Sequence, residues 1–234
     1  MSQALRLTSR LTITQKKFFA EVIGTFIIVV TAAGSVVLAA KLGGTLGIPF
    51  IAFAPFVGVA ISVYLFGKIS MAHFNPAVTM GYLITKHLPK NLLACYLCAE
   101  VVGAFLGSAF VKYVIGTEAN LGANAPNYYY PLPLIFGVEV LASGLLMAVI
   151  YAVVHTKGLR GFSGIAIGGI VGLDIYFFAL ISGASMNPAR SLAPAILSGS
   201  LGDLWLYLSA PFIGTSLVAL LLRQKFRQYQ VRAR

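Results

Sequence analysis

The chain has 234 residues, 59 % of them hydrophobic and 10 % charged, and a formal net charge of +11 from 17 basic and 6 acidic residues. Soluble domains carry about 25 % charged residues, so this composition excludes a soluble enzyme, a disordered chain and a disulfide-rich secreted domain, and indicates a polytopic membrane protein. The basic excess sits between apolar stretches, where it sets orientation in a bilayer rather than binding nucleic acid.

A membrane span needs about 20 apolar residues. Six stretches qualify: 18–40, 48–67, 91–115, 132–155, 162–182 and 203–222. The first runs well past the apolar core of a cleavable signal peptide, about 7–15 residues, so none is expected. Two shorter apolar pieces, near 70–85 and 184–198, each contain Asn-Pro. That dipeptide starts helices and does not sit inside them. Each piece is therefore predicted to be a re-entrant loop followed by a half-helix. Cys95 and Cys98 fall inside the third span as small packing residues, with no disulfide framework or metal-ligand cluster.

Lysine and arginine give the orientation. Arg6, Arg10, Lys16 and Lys17 precede the first span, and Lys68, Lys86 and Lys90 lie between the second and third. Lys157 and Arg160 lie between the fourth and fifth, and Arg223, Lys225, Arg227, Arg232 and Arg234 follow the sixth. With six crossings these 14 of the 17 basic residues share one side, leaving Lys41, Lys112 and Arg190. Positive residues concentrate in the cytoplasm, which predicts a multi-pass protein of the cell membrane with both termini cytoplasmic. The first re-entrant piece then enters from the cytoplasm and the second from outside. Segment 116–131, with Tyr128, Tyr129 and Tyr130, becomes an external connection whose tyrosines suit the membrane interface.

The two halves repeat one pattern. Each reads span, span, Asn-Pro-Ala, span: Asn75-Pro76-Ala77 in residues 18–115, Asn187-Pro188-Ala189 in residues 132–222. Glu21 and Glu139 each lie near the start of their half. Three spans per half make the second copy inverted, an arrangement that places a shared site near the bilayer midplane. The prediction is an all-α fold, one channel domain over 1–234, with six transmembrane helices, two half-helices and an inverted three-helix repeat.

Proline suits the first helical position, and the preceding asparagine the N-cap. The asparagine amide NH₂ is then free to point elsewhere. Two half-helices entering from opposite faces meet N-terminus to N-terminus, each carrying about +0.5 charge. An oxygen passing that point accepts from both Asn75 and Asn187, and a cation is repelled. The non-helical stretches Met71–Phe74 and Gly183–Met186 offer carbonyls to a water-filled path, and Gly183 is placed along it.

On HFNPAVT at 73–79 and SGASMNPARS at 182–191, the sequence resembles the aquaporin (major intrinsic protein) family over nearly its whole length. The resemblance implies one pore per subunit, a homotetramer and no cofactor or metal. It also implies an outer constriction built from Arg190, Ala184, Ile175 and either Pro55 or Phe56, where relatives usually place Phe or Trp. Ile175 stands where strict water channels have His. Ser191 stands where glycerol facilitators usually have Asp. The second motif is similar to plant nodulin-like members, and isoleucine with arginine to archaeal ones. By the same resemblance Glu21 and Glu139 brace the re-entrant loops. His73 either lines the cytoplasmic half of the pore or bonds to its loop. Asp174 and Glu100, also intramembrane acids, are expected to contact a neighbouring helix or subunit. The implied activity is passive passage of water and small neutral solutes such as glycerol, urea, metalloid hydroxides or peroxide. The alternatives are a strict water channel and a coupled secondary transporter; no nucleophile–base pair or phosphate loop supports an enzyme.

Overall fold

The computed structural model describes residues 11–232, and the described chain is helical with no strand. Its elements are α1 (Ile13–Lys41), α2 (Gly47–Ser70), α3 (Pro76–Ile84) and α4 (Leu93–Phe110) in the first half. The second half holds α5 (Leu132–His155), α6 (Ser163–Ser182), α7 (Pro188–Ser198) and α8 (Ala210–Arg232). A 3₁₀ turn, Lys90–Leu92, leads into α4, and a π-helical turn, Val111–Ile115, continues it. Six helical stretches are long and apolar enough to cross a membrane, running Ile13–Lys41, Gly47–Ser70, Lys90–Ile115, Leu132–His155, Arg160–Ser182 and Leu204–Arg223. The half-helices α3 and α7 each begin at the proline of Asn-Pro-Ala.

The predicted spans differ from these mainly at two ends. α1 starts at Ile13, before Lys16 and Lys17, because Thr12 caps it: Gln15 N–H donates to Thr12 Oγ1 (3.2 Å) and Thr12 N–H to Gln15 Oε1 (2.9 Å). α8 runs on through the basic tail to Arg232. Arg6, Arg10 and Arg234 lie outside the described residues.

α1 packs on α2 and α4, and α5 packs on α6 and α8. The halves join along α2 and α6. Each half-helix lies against the last span of the opposite half, α3 on α8 and α7 on α4. The halves therefore interlock instead of standing side by side.

Small residues allow the close crossings. A Cβ on Gly103 would sit 2.4 Å from the Val22 carbonyl, and one on Gly107 2.9 Å from that of Phe26, both on α1. Gly168 on α6 faces the Phe56 carbonyl of α2 at 2.4 Å, and Gly214 on α8 faces that of Val140 on α5 at 2.2 Å. Backbone cannot yield as a flexible side chain can.

The connection between the halves, residues 116–131, holds the least regular backbone. Ala119, Asn120 and Leu121 have φ of 48°, 51° and 58°, a short left-handed turn of non-glycine residues. Such residues cost about 1–2 kcal/mol each. Burial offsets this: Leu121 is buried with Val29, Ala33 and Val37 of α1. Gly122 follows with φ +66°, and a Cβ there would meet the Ala33 carbonyl at 2.5 Å.

Gly103→Val is expected to break the α1–α4 contact, an overpacking cost of about 3 kcal/mol or more. It should appear as a lower thermal midpoint and loss of a single size-exclusion peak in detergent. Gly137→Ala, at an exposed α5 site with nothing within 4 Å of the added carbon, should change neither.

Candidate pore and its outer constriction

The two loops before the half-helices share one backbone pattern. Met71, Ala72 and Phe74 have positive φ in the first, and Gly183, Ala184 and Met186 in the second. These are the positions four, three and one before each asparagine. Left-handed backbone at alanine, methionine and phenylalanine needs fixing from outside.

Glu21 and Glu139 supply it. Glu21 Oε1 accepts from His73 N–H (3.1 Å) and Oε2 from Phe74 N–H (2.6 Å). Glu139 Oε1 accepts from Met186 N–H (2.6 Å) and Oε2 from the Ser182 hydroxyl (2.9 Å). Two further pairs repeat the arrangement. Ser70 and Ser182 Oγ accept from the N–H of Ala72 (3.2 Å) and Ala184 (3.1 Å). Tyr96 and Tyr207 donate to the carbonyls of Ser70 (2.6 Å) and Ser182 (2.7 Å). Sequence reasoning missed these serines and tyrosines. Their signal was positional: each serine lies five residues before its asparagine.

Asn75 and Asn187 are N-caps with extended backbone. Asn75 Oδ1 accepts from Ala77 N–H (2.9 Å), and Asn187 Oδ1 from Ala189 N–H (3.0 Å) and Arg190 N–H (3.3 Å). The sequence predicts amide groups left free. Instead, Asn75 Nδ2 donates to the Met186 carbonyl (2.8 Å) and Asn187 Nδ2 to that of Phe74 (2.9 Å), each in the opposite loop. A primary amide has two N–H groups, so each keeps one beyond the crosswise bond. Both asparagines line the lumen. Pro76, Ala77, Pro188 and Ala189 are buried behind them.

The lumen contains an inner cavity of about 60 Å³ and an outer cavity of about 180 Å³. They share Ala32, Ile175, Ala184 and Arg190, which therefore mark the step between them. Pro55 lines the inner cavity. Phe56 does not: its backbone and ring lie against Gly168 and Gly172 of α6. One residue turns a helix by about 100°, so only one of the neighbours can face the lumen. The α6 glycines accept the Phe56 ring. Gly183 lines the outer cavity, with its carbonyl taken by Asn124 Nδ2 (2.8 Å).

Arg190 is buried and held from the connection between the halves. Its Nη1 donates to the Gly122 carbonyl (3.1 Å) and to Asn124 Oδ1. Asn124 Oδ1 also accepts from the Ser191 hydroxyl (2.9 Å). Nothing in the sequence singles out Asn124, because its partners lie about 60 residues away.

His73 lines the inner cavity and stacks on Tyr82, ring centroids 4.5 Å apart. Its Nδ1 is 2.9 Å from the Thr79 hydroxyl, which donates to Glu100 Oε1 (2.5 Å). With that hydroxyl hydrogen directed at Glu100, the Thr79 oxygen accepts from His73, so Nδ1 is the donor and Nε2 the acceptor. Nε2 has no partner among the described residues. Glu100 is fully buried in this relay, so it does not sit on an outer face where a neighbouring subunit would reach it. Asp174 is also buried and lies outside both cavities' linings.

An inverted repeat of membrane spans, with two half-helices meeting at adjoining cavities that share four lining residues, defines a polytopic pore protein. The chain belongs to the major intrinsic protein family, whose pattern matches residues 8–222. It is 37 % identical to Aquaporin NIP3-1 of Arabidopsis thaliana over 206 residues, 85 % of this chain and 64 % of that one. It is 32 % identical to Nodulin-26 of Glycine max over 201 residues, 85 % of this chain and 73 % of the relative. The chain thus spans just under two thirds of the first relative's length. The X-ray structure of the aquaglyceroporin from Plasmodium falciparum has the same fold, with a TM-score of 0.76, 22 % identity, and coverage of 90 % of this chain and 96 % of that one.

Glu139→Ala leaves the buried Met186 N–H and Ser182 hydroxyl without their acceptor. A loss of about 2–4 kcal/mol is expected, read as a fall in the thermal midpoint in detergent. Glu139→Gln keeps one acceptor oxygen and should lose less than half of that.

Proposed function

We propose that the protein is a passive pore for water and small uncharged solutes that excludes ions and protons. Glycerol, urea, metalloid hydroxides and peroxide are within its range. The observation that carries the reading is the constriction: Arg190 shares the step between the cavities with Ile175, Ala184 and Ala32, Pro55 lines the inner side, and no histidine is among them. A guanidinium facing an apolar wall suits a solute with one hydroxylated face and one C–H face. Membership of a family whose relatives include aquaporins, and the fold shared with an aquaglyceroporin, support the channel class.

Exclusion of cations follows from the sign of the groups at the lumen. Arg190, the two half-helix N-termini and the amides of Asn75 and Asn187 all present positive or donor character. A cation gains nothing from them to offset its lost hydration. A water at the asparagines accepts from both, which turns its own hydrogens away along the lumen and interrupts proton relay. No carboxylate lines either cavity: Glu21 and Glu139 hold the loops, and Glu100 and Asp174 lie behind the wall. A coupled transporter needs a titratable or ion-binding group at that place. We further propose that both termini face the cytoplasm of a cell membrane, that subunits form a homotetramer with one pore each, and that no cofactor takes part.

The test is vesicle volume in liposomes, followed by light scattering. After an outward osmotic step the wild type should shrink fast, then re-swell fast in an inward glycerol gradient. Ile175→His should cut the glycerol rate by about tenfold or more while keeping most of the water rate. Fast shrinkage without re-swelling in the wild type would mean a strict water pore.

A further inference from the structure

The lumen-facing stripe of α2 is Ile48, Ile51, Pro55, Val59 and Val63, none with a polar side-chain atom. Ile175 and Ala32 face it from α6 and α1. At the lumen, Arg190, Asn75 and Asn187 are donors, and the acceptors stand on one side only, the loop carbonyls before each asparagine, of which those of Phe74, Met186 and Gly183 already accept one bond from an asparagine. A hydroxyl crossing the constriction satisfies its oxygen at Arg190 but still has a hydrogen to place. Leaving that bond unmade in a dry passage is costly.

Pro55 provides an acceptor through what it lacks. It sits inside α2 and has no N–H, so the carbonyl four residues back, that of Ile51, loses its helical partner. No loop bond reaches that carbonyl among the described residues. Carbonyls in a helix point toward its C-terminal end, so this one points from Ile51 toward Pro55. Ile51 lines the outer cavity and Pro55 the inner one, so the helical turn that carries this carbonyl spans the step where Arg190 also stands.

We propose that the backbone carbonyl of Ile51, freed by Pro55, is a hydrogen-bond acceptor of the outer constriction, on the otherwise apolar α2 wall that faces the loop carbonyls. It takes the O–H of a water or polyol while Arg190 donates to the oxygen. The inference rests on the pore reading above and names the group that completes it. Any other residue at position 55 brings back an N–H and closes the site.

Pro55→Ala separates this role from that of the ring. Alanine suits a helix interior better than proline, so the variant is expected to fold. It restores the bond to Ile51 and, by removing ring atoms, widens the passage. The liposome glycerol-to-water ratio should fall about threefold or more if an acceptor has been lost; size alone gives a rise. The bond is read separately. The sequence has two Ile–Ala pairs, Ile51-Ala52 and Ile165-Ala166. Carbonyl-¹³C isoleucine with ¹⁵N alanine therefore gives two carbonyl signals by solid-state NMR in membranes, with Ile165 inside α6 as reference. The Ile51 signal should move in Pro55→Ala while that of Ile165 stays. An unmoved Ile51 signal, or a ratio that holds or rises, overturns the proposal and leaves the broad pore standing. If the wild type passes water but no glycerol, the broad reading fails on its own. The acceptor is then judged by the water permeability of Pro55→Ala, where a fall supports it and a constant or higher value overturns it.

Discussion

Two amide–carbonyl bonds cross the middle of this molecule. Asn75 reaches the carbonyl of Met186, and Asn187 reaches that of Phe74. They join the starts of two half-helices whose positive ends meet beside the lumen, an arrangement that repels itself. They also join the two halves of the chain at mid-membrane, where lipid offers no substitute for a missing partner. Everything around them serves to hold that meeting point. The left-handed backbone at Phe74 and Met186 turns each carbonyl toward the opposite asparagine, and Glu21 and Glu139 hold that backbone through the same residues' N–H groups. Ser70 with Tyr96, and Ser182 with Tyr207, complete the two supports.

This explains why acidic residues occur in the apolar spans without becoming ion sites. A buried carboxylate is tolerated when backbone donors surround it. Glu21 and Glu139 are occupied in that way, and Glu100 accepts from Thr79. The lumen is left with donors of positive character and a long apolar wall. Such a passage disfavours charge of either mobile kind, cation or proton. Oxygen-bearing neutral molecules bring their own acceptors to it. On the function proposed here, selectivity among neutral solutes is assigned to the width and polarity of the step at Arg190, Ile175 and Ala184.

Much of this was legible in the sequence because membrane folding is severe about period and charge. Twenty-residue apolar runs, two Asn-Pro-Ala motifs and the lysine and arginine distribution left little freedom for the spans. The half-helices began at Pro76 and Pro188, where proline chemistry places them. Three features were not legible. Adjacent Pro55 and Phe56 could not be told apart, since the choice depends on the rotation of α2, which the glycines of α6 settle. Asn124 lies in a connection whose left-handed turn is held by the burial of Leu121, a contact with α1 that no local pattern announces. The engagement of each asparagine by the opposite loop depends on a meeting of segments more than 100 residues apart.

The most direct measurement is a double-variant cycle on that meeting point. Asn75→Ala, Asn187→Ala and the double variant would be compared with the wild type by thermal unfolding in one detergent. If the crosswise bonds act as a unit, removing one already loosens the other. The double variant should then fall short of the summed single losses by about 1 kcal/mol or more. Additive losses would mean that the asparagines act only as separate helix caps, and would contradict the interlock on which this description of the pore stands.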